Sequence, residues 1–198
     1  MKPMTFMWLR LRRSALDLYR DRRGIAAVEF SIIAPVMLVM FFGTVELSSG
    51  IAVDRKVTLM ARTLSDLTSQ NISVTDTQLT NFFNASTGIM WPYPSTPTKS
   101  TISELYVDPN TLAARVQWSK GSVPRAAGST VAIPTALQVG GTYLIYSEVS
   151  YLYVPAVGYV MGKAGLNMSD FTFTRPRQST CVIYPAPSSG PLPACPTS

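Results

Sequence analysis

From Ile25 to Val45 the chain runs for 21 residues with a single charge, Glu29, near the start of the stretch. As a helix it would be about 31 Å long at about 1.5 Å per residue, enough to cross the hydrocarbon core of a bilayer. The reading is a membrane span. Its anomaly is the acid, because a carboxylate at the centre of a membrane helix costs on the order of 2.5 to 3.5 kcal/mol on insertion scales and such residues usually mark function.

The net charge of +6 has to be divided before it is interpreted. Residues 1–24 hold seven of the 17 Lys/Arg and two of the 11 Asp/Glu, which leaves ten basic against nine acidic residues from Ile25 onward. The basicity is therefore local to the flank of the span, where Arg10, Arg12, Arg13, Arg20, Arg22 and Arg23 would hold the N-terminus in the cytoplasm and export the rest. Attraction to anionic lipid accounts for these arginines, and no nucleic-acid partner is expected. An ordinary secretory signal peptide fits poorly: the apolar region is too long, it contains Glu29 and Pro35, and Leu47-Ser-Ser-Gly50 is the nearest approach to a small-residue cleavage site.

Beyond Val45 the chain turns polar, yet helical spacing persists through Val57, Met60, Ala61, Leu64 and Leu67. One long helix from near Ile25 to about Ser69 is expected, lipid-embedded in its first half and amphipathic in its second, with Gly43 and Gly50 permitting a bend. The apolar stripe of the second half needs a covering surface, and a sheet is the usual partner. A second short helix is expected from Thr75 to Asn84, then a Pro-rich loop from Trp91 to Pro97.

The remaining hundred residues read as strands. Ile102 to Val107 and Ala113 to Trp118 flank the turn signal at Asp108-Pro-Asn110 and predict a hairpin, with Val116 and Trp118 sharing one face. Thr142 to Val154 predicts the strongest strand, with Tyr143, Ile145, Ser147, Val149, Tyr151 and Tyr153 on one side. Its length suggests a central position. Gly158 to Gly162 reads as a loop, and Asp170 to Thr174 with Thr180 to Tyr184 predict a last hairpin around Arg175-Pro-Arg177, ahead of a Pro-rich tail. The fold class is α+β: a long N-terminal transmembrane helix whose amphipathic continuation packs on an antiparallel β-sheet.

With no histidine anywhere, Ser-His-Asp and Cys-His catalysis fall away, along with most histidine metal sites. Glu104, Asp108, Glu148 and Asp170 are scattered acids, and there is no nucleophile elbow, phosphate-cradling loop or zinc spacing. No enzyme, cofactor or metal is expected. In an exported domain Cys181 and Cys195 could close a loop of about 15 residues with a disulfide contributing about 3 kcal/mol, the alternative being two unpaired thiols.

Gly24-Ile-Ala-Ala-Val-Glu29-Phe30, set just after a basic leader, resembles the processing motif of type IV prepilins in the tight-adherence branch. The chain as a whole resembles the TadE family of minor pseudopilins, small membrane proteins of the Tad pilus assembly machinery. The resemblance continues through Pro35 and Glu46 to Val116-Gln-Trp118-Ser119, the Tyr143 to Tyr153 strand with its Pro155 ending, and Arg175-Pro-Arg177.

It implies a pilin-like fold in three parts: a leader over 1–24 that is cleaved, a transmembrane helix over 25–45, and a periplasmic domain over 46–198. A prepilin peptidase would cut between Gly24 and Ile25, a glycine letting the backbone enter a narrow cleft. The new α-ammonium on Ile25 would lie one helical turn from Glu29, which could pair with it or with a neighbouring subunit's amine. Glu29 and Phe30 then carry subunit docking, and Pro35 would kink or locally melt the helix.

The implied partners are the peptidase, other pilins and pseudopilins, inner-membrane Tad assembly proteins and membrane lipid, and the implied role is pilus biogenesis and surface adhesion. The alternative is a membrane-anchored periplasmic binding or adhesive module that is not processed, suggested by the five tyrosines between Tyr143 and Tyr159 and by Trp91 and Trp118.

Overall fold

The apolar and amphipathic stretches form one α-helix, α1 (Arg23–Ser69), which continues through Pro35. The computed structural model describes residues 23–155 and 165–197, so the leader up to residue 22, the Gly158 to Gly162 segment and Tyr159 lie outside the described residues. The chain divides into two units, one ending at Val45 and the other beginning at Glu46.

In the first unit, apolar side chains stand open all round the helix: Phe30 is 69% exposed and Val39 73%. The Thr44 hydroxyl, polar in an apolar setting, donates back to the carbonyl of Met40 at 2.8 Å. Pro35 has no N–H to give the carbonyl one turn before it.

In the second unit, Val53, Val57, Met60, Ala61 and Leu64 are buried at three- and four-residue spacing, which is the stripe the sequence shows. They pack on a five-stranded, wholly antiparallel sheet in the order β3-β2-β1-β4-β5, built from β1 (Thr98–Val107), β2 (Ala114–Gly121), β3 (Thr130–Val131), β4 (Tyr143–Tyr153) and β5 (Leu166–Thr174). Val53, Val57 and Met60 meet Val149, Tyr151 and Tyr153, while Leu64 meets Ile102, Trp118 and Ile145. Polar pins fix the register of helix on sheet: Ser147 Oγ donates to the Ala61 carbonyl at 2.8 Å, and Ser65 Oγ to Thr174 Oγ1 at 2.7 Å.

The opposite face of the sheet carries its own cluster, in which Leu105, Val116, Leu144 and Tyr146 lie under Val131 and Ile133. The alternation expected along β4 is thus realised on both faces. β4 is an interior strand flanked by β1 and β5, and the middle position belongs to β1.

The second helix, α2 (Asp76–Thr87), runs three residues further than expected. Thr75 caps it in a capping box with Gln78, the Thr75 hydroxyl accepting from the Gln78 N–H at 3.2 Å and Gln78 accepting from the Thr75 N–H at 2.9 Å.

Two strand expectations are corrected. Val116 and Trp118 do not share a face, because Glu104 pairs with Trp118 while its neighbour Leu105 pairs with Val116, leaving Gln117 as the extra residue of a bulge. Trp118 therefore points to the α1 side and Val116 to the other.

The last hairpin does not form either. β5 pairs along its length with β4, and the segment after Arg175-Pro-Arg177 makes only an isolated parallel bridge, Ser73 with Ile183. Pro176 interrupts the donor row, and the backbone of Ile183 finds its partners in Ile72 and Val74. At the end of β2, Gly121 adopts φ +140°, and a Cβ there would sit 2.2 Å from the Ser100 carbonyl oxygen, so glycine is what lets β2 close on β1.

Candidate functional site

Gly24, Ile25, Glu29, Phe30 and Pro35 all fall in the first twelve or so residues of α1. A Cβ built on Gly24 meets nothing within 4 Å, so the fold of the described residues makes no packing demand for glycine there. Ile25 and Glu29 are four residues apart on a helix and lie on the same face, about one turn from each other. Glu29 is exposed, as are Ile25 and Phe30 beside it. The result is an exposed carboxylate at the head of an apolar, uncovered helix, and among the described residues α1 is long and apolar enough to cross a membrane. An acid in that position can accept a cation supplied from the same helix end or from outside the chain.

The acids of the second unit are not brought together. Asp108 closes the β1–β2 turn by accepting from the N–H groups of Asn110 and Thr111 at 2.7 and 3.2 Å, and these bonds lower its pKa. Glu148 lies on the sheet face away from α1; burial there works against its charge, yet the Arg125 fork at 2.7 and 2.6 Å holds its carboxyl below the usual range. Asp170 accepts from the Phe171 N–H at 2.8 Å. Among the described residues no cluster of His, Cys, Asp or Glu could hold a metal ion.

Glu104 is the acid whose role the sequence reading missed. It is wholly buried, accepting from the Val182 N–H at 2.5 Å and from Trp118 Nε1 at 3.0 Å, while the same indole N–H lies 2.8 Å from the Val182 carbonyl. Burial pushes its pKa up to about 7, against the opposing pull of those two donors. The signal was present: Glu104 follows Ile102 by two, which places it on the core side of β1 by strand alternation.

Tyr143, Tyr146, Tyr151 and Tyr153 are buried and serve as core, as does Trp118, whereas Trp91 is 80% exposed. The Trp91 carbonyl is held from behind by Lys56 Nζ at 2.9 Å. Arg177 forms an ion pair with Asp66 and its N–H donates to the Ser69 carbonyl at 2.9 Å, so it secures the chain after β5 to the end of α1. Cys181 and Cys195 are joined by a disulfide with Cα atoms 5.8 Å apart.

The family model described as TadE-like protein matches residues 24–64, the family to which the N-terminal motif points. The match opens on Gly24 and ends on Leu64, spanning the exposed stretch of α1 and most of its buried stripe. No curated protein and no solved structure matches the chain.

Proposed function

We propose, from the TadE-like segment at residues 24–64, that this chain is a minor pseudopilin of a Tad-type pilus. In this reading it is a single-pass inner-membrane protein with residues 1–24 as a cytoplasmic leader, residues 25–45 in the bilayer and residues 46–198 in the periplasm. A prepilin peptidase cuts it after Gly24, and the mature chain supports pilus biogenesis and surface adhesion by packing against other pilins and inner-membrane assembly proteins.

The observation that carries the reading is the coincidence of the motif with the head of an uncovered apolar helix. Among the described residues Gly24 has no packing duty, which leaves its small size free to serve a protease cleft. Cleavage would place an α-ammonium on Ile25 one turn from Glu29, and in lipid those two charges are far less costly together than apart. The exposed Phe30 and the apolar residues after it supply the surface on which another helix can pack. Removing the leader also lowers the net charge from +6 to +1, so the basic flank serves insertion and not the working protein.

Intact-mass and N-terminal analysis of the membrane-extracted protein should find a chain beginning at Ile25. Gly24→Ala should still be cut, Gly24→Trp should accumulate as precursor, and Glu29→Ala should be defective in piliation. Normal processing and piliation in both Gly24→Trp and Glu29→Ala would overturn the proposal.

A further inference from the structure

The segment Cys181–Tyr184 lies as a strap across the end of the second unit. On one side its backbone bonds to residues 72–74: the Ile183 N–H donates to the Ile72 carbonyl at 3.1 Å and the Val74 N–H to the Ile183 carbonyl at 2.9 Å. On the other side no strand among the described residues lies beside it. Two buried side chains take its place, Glu104 accepting from the Val182 N–H and Trp118 donating to the Val182 carbonyl. The acid at the centre of this clasp belongs to none of the ion pairs among the described residues.

We propose that Glu104 is a proton-operated latch for the strap, which stays seated over the protonated acid and loosens when the acid ionises. Ionisation strengthens the bonds from the Val182 N–H and Trp118 Nε1, but burial outweighs them: a carboxylate with no ion-pair partner among the described residues is costly among Leu64, Ile102, Ile145 and Val182, and lifting the strap admits the water that would solvate it. The seated acid titrates at about 7 because it is buried; the same group open to water returns to 4.5. A pKa raised in the seated state favours seating at low pH, fully so below 4.5, and the advantage is lost as pH rises through about 7. The difference corresponds to an opening equilibrium that rises on the order of a hundredfold across that window.

The other titratable groups on the surrounding elements do not supply this response. Tyr143 on β4 is pushed up to about 12 by burial. Asp76 on α2 is lowered by the Tyr184 hydroxyl and by Lys120, and Lys120 on β2 is raised by Tyr184 and Asp76. On α1, Asp66 is paired with Arg177. A loosened strap would uncover Trp118 and Leu64 while the disulfide still tethers the tail beyond it.

Hydrogen exchange on the full chain in detergent micelles tests the latch. After correction for the intrinsic pH dependence of exchange, protection at Val182 and Ile183 should fall on the order of a hundredfold between pH 5 and pH 8, while amides of β1 and β4 hold constant. Glu104→Gln should exchange faster than the wild type at pH 5, because one carboxamide N–H faces a donor, and should lose the pH dependence. A carbon-13 titration of the Glu104 carboxyl should show a midpoint near 7. Strap protection that is flat with pH, a Gln variant that keeps the wild-type fall, or a midpoint in the ordinary carboxylate range would each overturn the latch. If the Gln variant does not fold, the wild-type profile and the carboxyl titration decide it.

Discussion

Along α1, Met37, Val39 and Phe41 stand open while Val53, Val57 and Met60 are wholly buried, although both sets are drawn from the same kinds of side chain on the same helical backbone. The difference lies in what fills the faces between them. Before Val45 nearly every face is apolar, so a surface covering one side leaves the others bare. After it, Asp54, Arg55, Lys56 and Arg62 occupy the remaining faces, and one sheet is enough to cover the stripe. Apolar content says that a helix needs covering; its angular spread says whether protein alone can do it.

The largest expected effect sharpens that contrast. Met60→Ala should cost about 3 kcal/mol of unfolding free energy, as deletion of a fully buried large side chain does, while Phe41→Ala should leave the same transition essentially unchanged. Denaturant titration in detergent, followed by tryptophan fluorescence, measures both; equal losses would erase the distinction between the two stretches. Glycines repeat the comparison at smaller scale. Gly121→Ala forces a Cβ against the Ser100 carbonyl at positive φ and should cost about 2 kcal/mol, whereas Gly43→Ala meets open space on a helix and should not destabilise the chain.

The smallest effect concerns the partly exposed Arg125–Glu148 pair, where Arg125→Ala should cost less than about 1 kcal/mol. The sign with pH is fixed: Glu148 has its pKa lowered in the folded state, so the pair's contribution is present above the ordinary carboxylate pKa and disappears as pH falls through the folded value. Stability curves of wild type and Arg125→Ala should therefore converge in acid, opposite in direction to the strap's response to Glu104.

Much of this was legible in the chain. The stripe from Val57 to Leu64 and the alternation along β4 are local periodicities, and local periodicity survives folding because burial selects for it. The bulge at Gln117 was not legible, since it exists only as a mismatch between two strands and neither strand shows it alone. The misplaced last hairpin has a similar cause. Arg175-Pro-Arg177 looks like a turn between two short apolar runs, but β5 gains a nine-residue ladder by pairing back to β4, and the run after the turn is used elsewhere. For Glu104 the burial could be read from its position two residues after Ile102, while its partners could not, because Val182 comes from 78 residues away and Trp118 turns to the same face only through the bulge at Gln117.

The parallel bridge between Ser73 and Ile183 has a kinetic consequence. A chain synthesised from its N-terminus can assemble β1 with β2 as soon as both have emerged, since they are joined by a short turn. Glu104, with only its Trp118 bond in place, and the loop after α1 must wait for their remaining partners until residues 182–186 arrive. Closure of this end of the domain thus waits on residues 182–186, and a truncation just before Cys181 should yield a sheet that forms but stays open at that end.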